Sequence, residues 1–140
     1  HSVIFADKGI QFFSTRVETS PELVSQIPIE ENIRSISYAQ DKVGIVTDNV
    51  EGGDPYRLRI YDREGSPVFE KSFNYQYTGF DIDGDLILLY NDSSCKVYNM
   101  TGTEKYNGTF DFTVSKVSAG RFPGTLLVMG PQKMTEIKLQ

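Results

Sequence analysis

The sequence predicts an all-β chain assembled from repeated antiparallel units of up to four strands. Three observations lead there: short runs of alternating apolar residues bounded by Asn, Asp and Gly, a self-similarity at one constant offset, and no helical periodicity over any segment longer than a strand. Pro21, Pro28, Pro55, Pro67, Pro123 and Pro131 interrupt the windows in which a long helix would run. With 140 residues, 39% of them hydrophobic and 24% charged, the chain is large enough to bury a core, fits a single domain and is neither disordered nor a membrane span.

The offset is read from two aligned stretches. Ile60-Tyr61-Asp62-Arg63-Glu64-Gly65 superposes on Val97-Tyr98-Asn99-Met100-Thr101-Gly102 at a spacing of 37 residues, and the same shift places Phe69 on Tyr106 and Phe73 on Phe110. Each copy reads as a strand, a turn closed by Gly and a second strand. A further hairpin precedes each copy. The first runs over residues 33–38 and 43–47 around Gln40-Asp41-Lys42; the second runs over 78–82 and 86–90 around Asp83-Gly84.

The phase continues with strands at 114–118, 126–129 and 134–139 around a turn at 120–124. Upstream, strands at 3–5, 10–14 and 23–27 with a turn at Asp7-Lys8-Gly9 complete the pattern. Four units follow, at about 1–31, 32–75, 76–112 and 113–140. Leu86-Ile87-Leu88-Leu89 is apolar without alternation, as in a strand buried on both faces. Arg57-Leu58-Arg59-Ile60-Tyr61 alternates, as in an exposed outer strand.

Units of roughly 40 residues with four antiparallel strands are the pattern of β-propeller blades. The expected architecture is therefore three to four propeller-type blades of an incomplete ring, with a β-sandwich as the alternative. Strands grouped by three, four, four and three fall short of the roughly four full blades of the smallest closed ring. Closure is expected from the remainder of a longer propeller, or from a second copy meeting this one through open strand edges.

The segments at 59–65 and 96–102 resemble the third-strand-and-turn signature of WD40-like propellers, in which a hydrophobic-aromatic-Asp run precedes a Gly turn. The chain has no Trp-Asp or Gly-His pair, so the hydrogen-bond network built on those residues is not carried over. The sequence is also similar to the propeller ectodomains of uncharacterised, membrane-anchored proteins of Gram-positive bacteria. That resemblance implies an extracellular or cell-surface location, with an anchor outside this segment, and no particular activity.

Composition removes several function classes. A formal net charge of −5 opposes nucleic-acid binding, which needs clustered Lys and Arg. Cys95, the single cysteine, excludes an intrachain disulfide framework and a multi-thiolate metal site. Its position beside Lys96 slightly favours thiolate character, but an isolated thiol in a strand is expected to be inert filling. A Ser-His-Asp triad would depend on His1, the only histidine. No apolar window reaches the length of a membrane-spanning helix, and no stretch resembling a signal peptide opens the chain.

Asp81-Ile82-Asp83-Gly84-Asp85 places three carboxylates on alternate positions, but a calcium loop of the EF-hand kind requires Gly where Leu86 stands. Asp83-Gly84 reads instead as a hairpin turn. Asp7, Asp41, Asp48, Asp54, Asp62 and Asp92 fall mostly at turn positions, where carboxylates cap backbone amides. Glu51-Gly52-Gly53-Asp54-Pro55 carries acids where a phosphate loop needs amides and a Lys, and reads as an exposed hairpin extension able to serve as a binding loop.

Phe73-Asn74-Tyr75-Gln76-Tyr77 concentrates aromatics and amides, which suits either ligand contact or packing between units. Tyr75, Tyr77, Asp54 and Tyr56 are thus the candidate ligand-contacting residues. No catalytic residue, metal ligand or cofactor is expected. Three glycosylation sequons, at Asn91, Asn99 and Asn107, carry meaning only for a secreted eukaryotic chain. The expected function is a non-enzymatic binding module for a protein or carbohydrate. The alternative is a carboxylate-based glycan-active enzyme.

Overall fold

The computed structural model describes residues 2–6, 9–14, 22–39 and 41–140. Asp7, Lys8, Gln40, His1 and Pro21 lie outside the described residues. Fourteen strands are described: β1 (Ser2–Ala6), β2 (Gly9–Ser14), β3 (Glu22–Pro28), β4 (Ile33–Tyr38), β5 (Lys42–Asp48), β6 (Tyr56–Asp62), β7 (Pro67–Phe73), β8 (Gly79–Asp83), β9 (Leu86–Tyr90), β10 (Ser94–Asn99), β11 (Glu104–Thr109), β12 (Lys116–Ala119), β13 (Thr125–Met129) and β14 (Met134–Lys138).

They form four antiparallel sheets, ordered β1-β2-β3, β4-β5-β6-β7, β11-β10-β9-β8 and β12-β13-β14. None closes into a barrel, and among the described residues there is no helix. The chain is all-β, with sheets of the size and pairing of incomplete propeller blades.

Two compact units divide the chain, unit 1 over residues 1–74 and unit 2 over 75–140. In unit 1 the core gathers Ile10, Phe12, Ile29, Val43, Ile45 and Tyr61 from both of its sheets. In unit 2 it gathers Leu88, Cys95, Val97, Val114, Val117, Leu126 and Val128. The uninterrupted apolar run of β9 behaves as its sequence predicts, with Ile87, Leu88 and Leu89 all fully buried.

The 37-residue offset has a hydrogen-bonded cause. Asp62 Oδ1 accepts the N–H groups of Glu64 and Ser66, both at 2.9 Å. Asn99 Oδ1 accepts those of Thr101 and Thr103 at 3.1 and 2.9 Å. In each turn the Gly N–H donates to the carbonyl of the capping residue, from Gly65 to Asp62 and from Gly102 to Asn99, both at 3.1 Å. Both glycines have positive φ, 86° and 89°, which an L side chain adopts only with strain. The ladder beside each turn slips by one residue, between Ile60 and Tyr61 in one copy and between Val97 and Tyr98 in the other.

One reading of the sequence is corrected. Residues 57–61 do not form an exposed strand: Leu58 and Ile60 are fully buried, Tyr61 is nearly so, and Arg59 is only 9% exposed. The charge is accommodated because Arg59 Nη2 donates to Glu31 Oε1 at 2.8 Å. Arginine is tolerated inside only with such a partner.

Candidate functional site

The outer part of unit 2 carries a groove of about 540 Å3 between β11 and β14, lined by Tyr106, Phe110, Phe112, Asp111, Lys133 and Ile137, among others. Its aromatic wall comes from β11 and the bend that follows it. Tyr106 is opposite Val97 in the β10–β11 ladder. Phe110 follows β11 and is held there by its N–H, which donates to Ser93 O at 2.9 Å. The chain bends at Asp111 and Phe112, and the Phe112 ring is brought beside that of Phe110.

The Tyr106 and Phe110 rings stack with centroids 6.2 Å apart, and those of Phe110 and Phe112 lie 5.5 Å apart. All three are half-buried against the unit 2 core, leaving part of each ring to the groove. A Cβ on Gly108 would stand 2.6 Å from Tyr106 Oη, so the Tyr106 ring folds over a glycine because only a glycine leaves it room. Burial also holds the Tyr106 phenol above its ordinary pKa.

The charged rim pairs Lys133 of the β13–β14 hairpin with Asp111, which follows β11. Lys133 Nζ lies 5.1 Å from the centre of the Phe112 ring and 3.6 Å from Asp111 Oδ1. Rings flanked by a paired cation and carboxylate can stack on a flat or apolar ligand group while the rim fixes its orientation.

The residues singled out from sequence are distributed over both units. Asp54 is exposed in the β5–β6 loop of unit 1, where its carbonyl accepts Asn49 Nδ2 at 2.8 Å. Tyr56 opens β6, with its ring 5.3 Å from that of Phe73. In unit 2, Tyr75 and Tyr77 are half-buried. The Tyr75 hydroxyl and Ser94 Oγ share a hydrogen bond of 2.7 Å, and burial holds that phenol above its usual pKa. Asn91 completes the arrangement: its Oδ1 accepts Ser94 N–H at 2.9 Å and its Nδ2 donates to Gln76 O at 2.7 Å. Tyr75 therefore ties the start of unit 2 to the β9–β10 turn.

The carboxylates of β8 have structural partners. Asp83 Oδ2 accepts the Ala119 N–H at 2.9 Å, and Asp81 Oδ2 lies 3.5 Å from Lys116 Nζ. Gly84, with φ 61°, makes the turn that Asp83-Gly84 predicts. Among the described residues no group of three His, Cys, Asp or Glu could hold a metal ion. No helix among them is long and apolar enough to cross a membrane.

Cys95 is the inert strand filling that its sequence position suggests. It is fully buried in the unit 2 core, and burial pushes its thiol up to about 12. At pH 8 the native chain should therefore resist a thiol-directed reagent over hours and react fully once denatured. Rapid native labelling would contradict the packing described.

The groove was legible only in part. Tyr106 and Phe110 enter the sequence reading as repeat markers, and Phe112 and Lys133 do not enter it. The aromatics clustered at 106, 110 and 112, over the end of β11 and the bend after it, are the signal that would have pointed to it.

Residues 1–139 match the family described as Family of unknown function (DUF5711). The chain belongs to this family. No curated protein matches the sequence. Among solved structures, the DUF5711 chain is similar to the computationally designed Ika4 protein, with a TM-score of 0.57, 10% identity, and coverage of 96% of this chain and 82% of that one. It is also similar to BamB from Moraxella catarrhalis, a WD40-like β-propeller, with a TM-score of 0.50, 10% identity, and coverage of 99% of this chain and 42% of that one. The DUF5711 chain thus spans about two-fifths of the BamB length. At 10% identity these likenesses establish a propeller-like fold and nothing of activity.

Proposed function

We propose that this chain is a non-enzymatic, propeller-type interaction module that works outside the cell and takes its ligand in the β11–β14 groove. The observation that carries this reading is the row of half-exposed rings at Tyr106, Phe110 and Phe112 beside the Lys133–Asp111 pair. Aromatic surface at a groove floor with a polar rim is the composition of recognition sites. Asp54, exposed on its loop, is a secondary contact, while Tyr56 and Tyr75 hold their segments in place. The remainder of a longer propeller, or a second copy, is a further partner through open strand edges.

The enzymatic alternative would need two carboxylates free to act on a sugar, and Asp81 and Asp83 are the pair sharing one recess. Their bonds to Lys116 and Ala119 favour a role in joining sheets. The test immobilises the chain and compares it with a Phe110→Ala/Phe112→Ala variant against soluble polysaccharides and peptide pools. Retention by the wild type with at least tenfold loss in the variant supports the reading. Polysaccharide turnover abolished by Asp81→Asn/Asp83→Asn would overturn it.

A further inference from the structure

Among the described residues, two buried side-chain atoms have no hydrogen-bond partner in the protein, Thr47 Oγ1 and Arg59 Nε. An unsatisfied buried polar atom is costly, so two in one unit need a physical cause. Their positions supply it. In the β5–β6 ladder Thr47 is opposite Arg57 and Ile45 is opposite Arg59, with no slip between the two pairs. Residues opposite each other share a face, as do residues two apart on one strand. Thr47 and Arg59 are therefore diagonal neighbours, on the face that sends Val43, Ile45 and Tyr61 into the unit 1 core.

The place they share is nearly closed to bulk solvent. Thr47 is fully buried, and the side chains of Arg59 and Glu31 are 11% and 17% exposed. Glu31 Oε1 accepts from Arg59 Nη2 at 2.8 Å. Nε and Nη2 donate side by side from one edge of a guanidinium, so the Glu31 carboxylate stands next to the unpartnered Nε–H. A carboxylate has about four lone-pair directions, and the bond to Nη2 leaves it capacity to accept more.

We propose that Thr47, Arg59 and Glu31 bind one internal water molecule. It accepts from Arg59 Nε–H, exchanges a hydrogen bond with the Thr47 hydroxyl and donates to the Glu31 carboxylate. With bonds of about 2.9 Å each, one water joins atoms up to about 5.8 Å apart, a reach suited to diagonal neighbours that do not bond directly.

The chemistry selects water among small ligands. Nε–H only donates, a carboxylate only accepts and a hydroxyl does either, and water satisfies all three at once. About three bonds to otherwise unsatisfied groups is the usual holding of a buried water. An anion would meet Glu31 in surroundings where acids already outnumber bases, with Glu31, Glu51 and Glu70 around Arg57 and Arg59. A metal cation would meet the Arg59 guanidinium. The bound water hydrates the buried ion pair and joins the segment before β4 to β5 and β6. The site lies wholly in unit 1 and does not depend on the β11–β14 groove of unit 2 being a ligand site.

The experiment is a high-resolution crystal structure of the full 140-residue chain, paired with thermal melts of wild type and Thr47→Val. Density for one water at about 2.8–3.0 Å from both Thr47 Oγ1 and Arg59 Nε is expected. Valine keeps the shape of threonine and removes its hydroxyl, so the melt has opposite signs in the two cases. With the water bound, the variant loses one of three holding bonds and should melt about 3 °C or more below wild type. With no water, valine removes an unsatisfied hydroxyl and should melt at or above the wild-type temperature.

No density between the two atoms, or an anion there shown by anomalous scattering after bromide replaces chloride, overturns the proposal. So does a second bond from Glu31 to Arg59 Nε, which would satisfy the guanidinium without water. A Thr47→Val chain that melts at or above wild type overturns it as well, and needs no crystal.

Discussion

Replacing Gly65 by alanine is expected to destabilise unit 1 by about 2–5 kcal/mol, a large share of the stability of a domain this size. Two costs combine. At φ 86° an L side chain carries roughly 1–2 kcal/mol of strain. The added Cβ would also overlap Ser25 Oγ and stand 2.9 Å from Phe12 Cδ2. Ser25 cannot retreat freely, because its hydroxyl donates to Glu64 O at 2.6 Å, and Phe12 is fully buried. Overpacking of this kind costs about 1–3 kcal/mol more.

Gly124→Ala is the internal control. Its φ of 76° imposes the strain, but nothing stands within 4 Å of the added Cβ, so about 1–2 kcal/mol is expected. Urea denaturation of the two variants measures the difference. Equal losses would mean that the contact of the β6–β7 turn with Ser25 and Phe12 carries no weight.

Glu31→Ala should be nearly as severe, at about 2–4 kcal/mol, because it strands the Arg59 guanidinium with its side chain only 11% exposed. Arg59 Nε already lacks a protein partner, so the loss of the 2.8 Å bond at Nη2 cannot be offset nearby. Replacing both residues, as Glu31→Leu/Arg59→Met, should return the stability to within about 1 kcal/mol of wild type, since a buried pair exchanged for apolar volume is often neutral.

The acid limb of the stability curve gives an independent reading. Burial alone would raise the Glu31 carboxyl, but a backbone hydrogen bond, Arg59 and Arg57 together hold it below 4.5. With the folded value below the unfolded one, the pair's contribution is fully present above the unfolded value near 4.5. It is lost as pH falls through the lowered folded value. Wild type should therefore lose stability more steeply than Glu31→Gln below about pH 4.5. Parallel acid limbs would remove Glu31 as a source of stability.

The strand positions were legible in the sequence because each rests on a local signal. Alternation gave the hairpins, the continuous apolar run gave buried β9, and the capping residues Asp62 and Asn99 with their glycines gave the offset. What was not legible depends on distant partners. Arg59 reads as an exposed charge because Glu31, which lets it be buried, lies 28 residues earlier. Cys95 reads as strand filling, but that Val117 and Leu126 of another sheet share its core could not be read from its own strand. The groove needs Lys133 to arrive beside Phe112 from the β13–β14 hairpin, a meeting no local window contains. Tyr75 was visible as an aromatic, while its bond to Ser94 was not.

The twin turns carry one more implication. Asp62 and Asn99 accept the same pair of amide hydrogens through the same atom, Oδ1, although one side chain is a carboxylate and the other an amide. The turn therefore tests for an oxygen at that place and is indifferent to formal charge. Successive copies of the unit can gain or lose a negative charge at each corner while keeping one backbone geometry. The electrostatic face of such an array is free to diversify under selection for different ligands, while its architecture stays fixed.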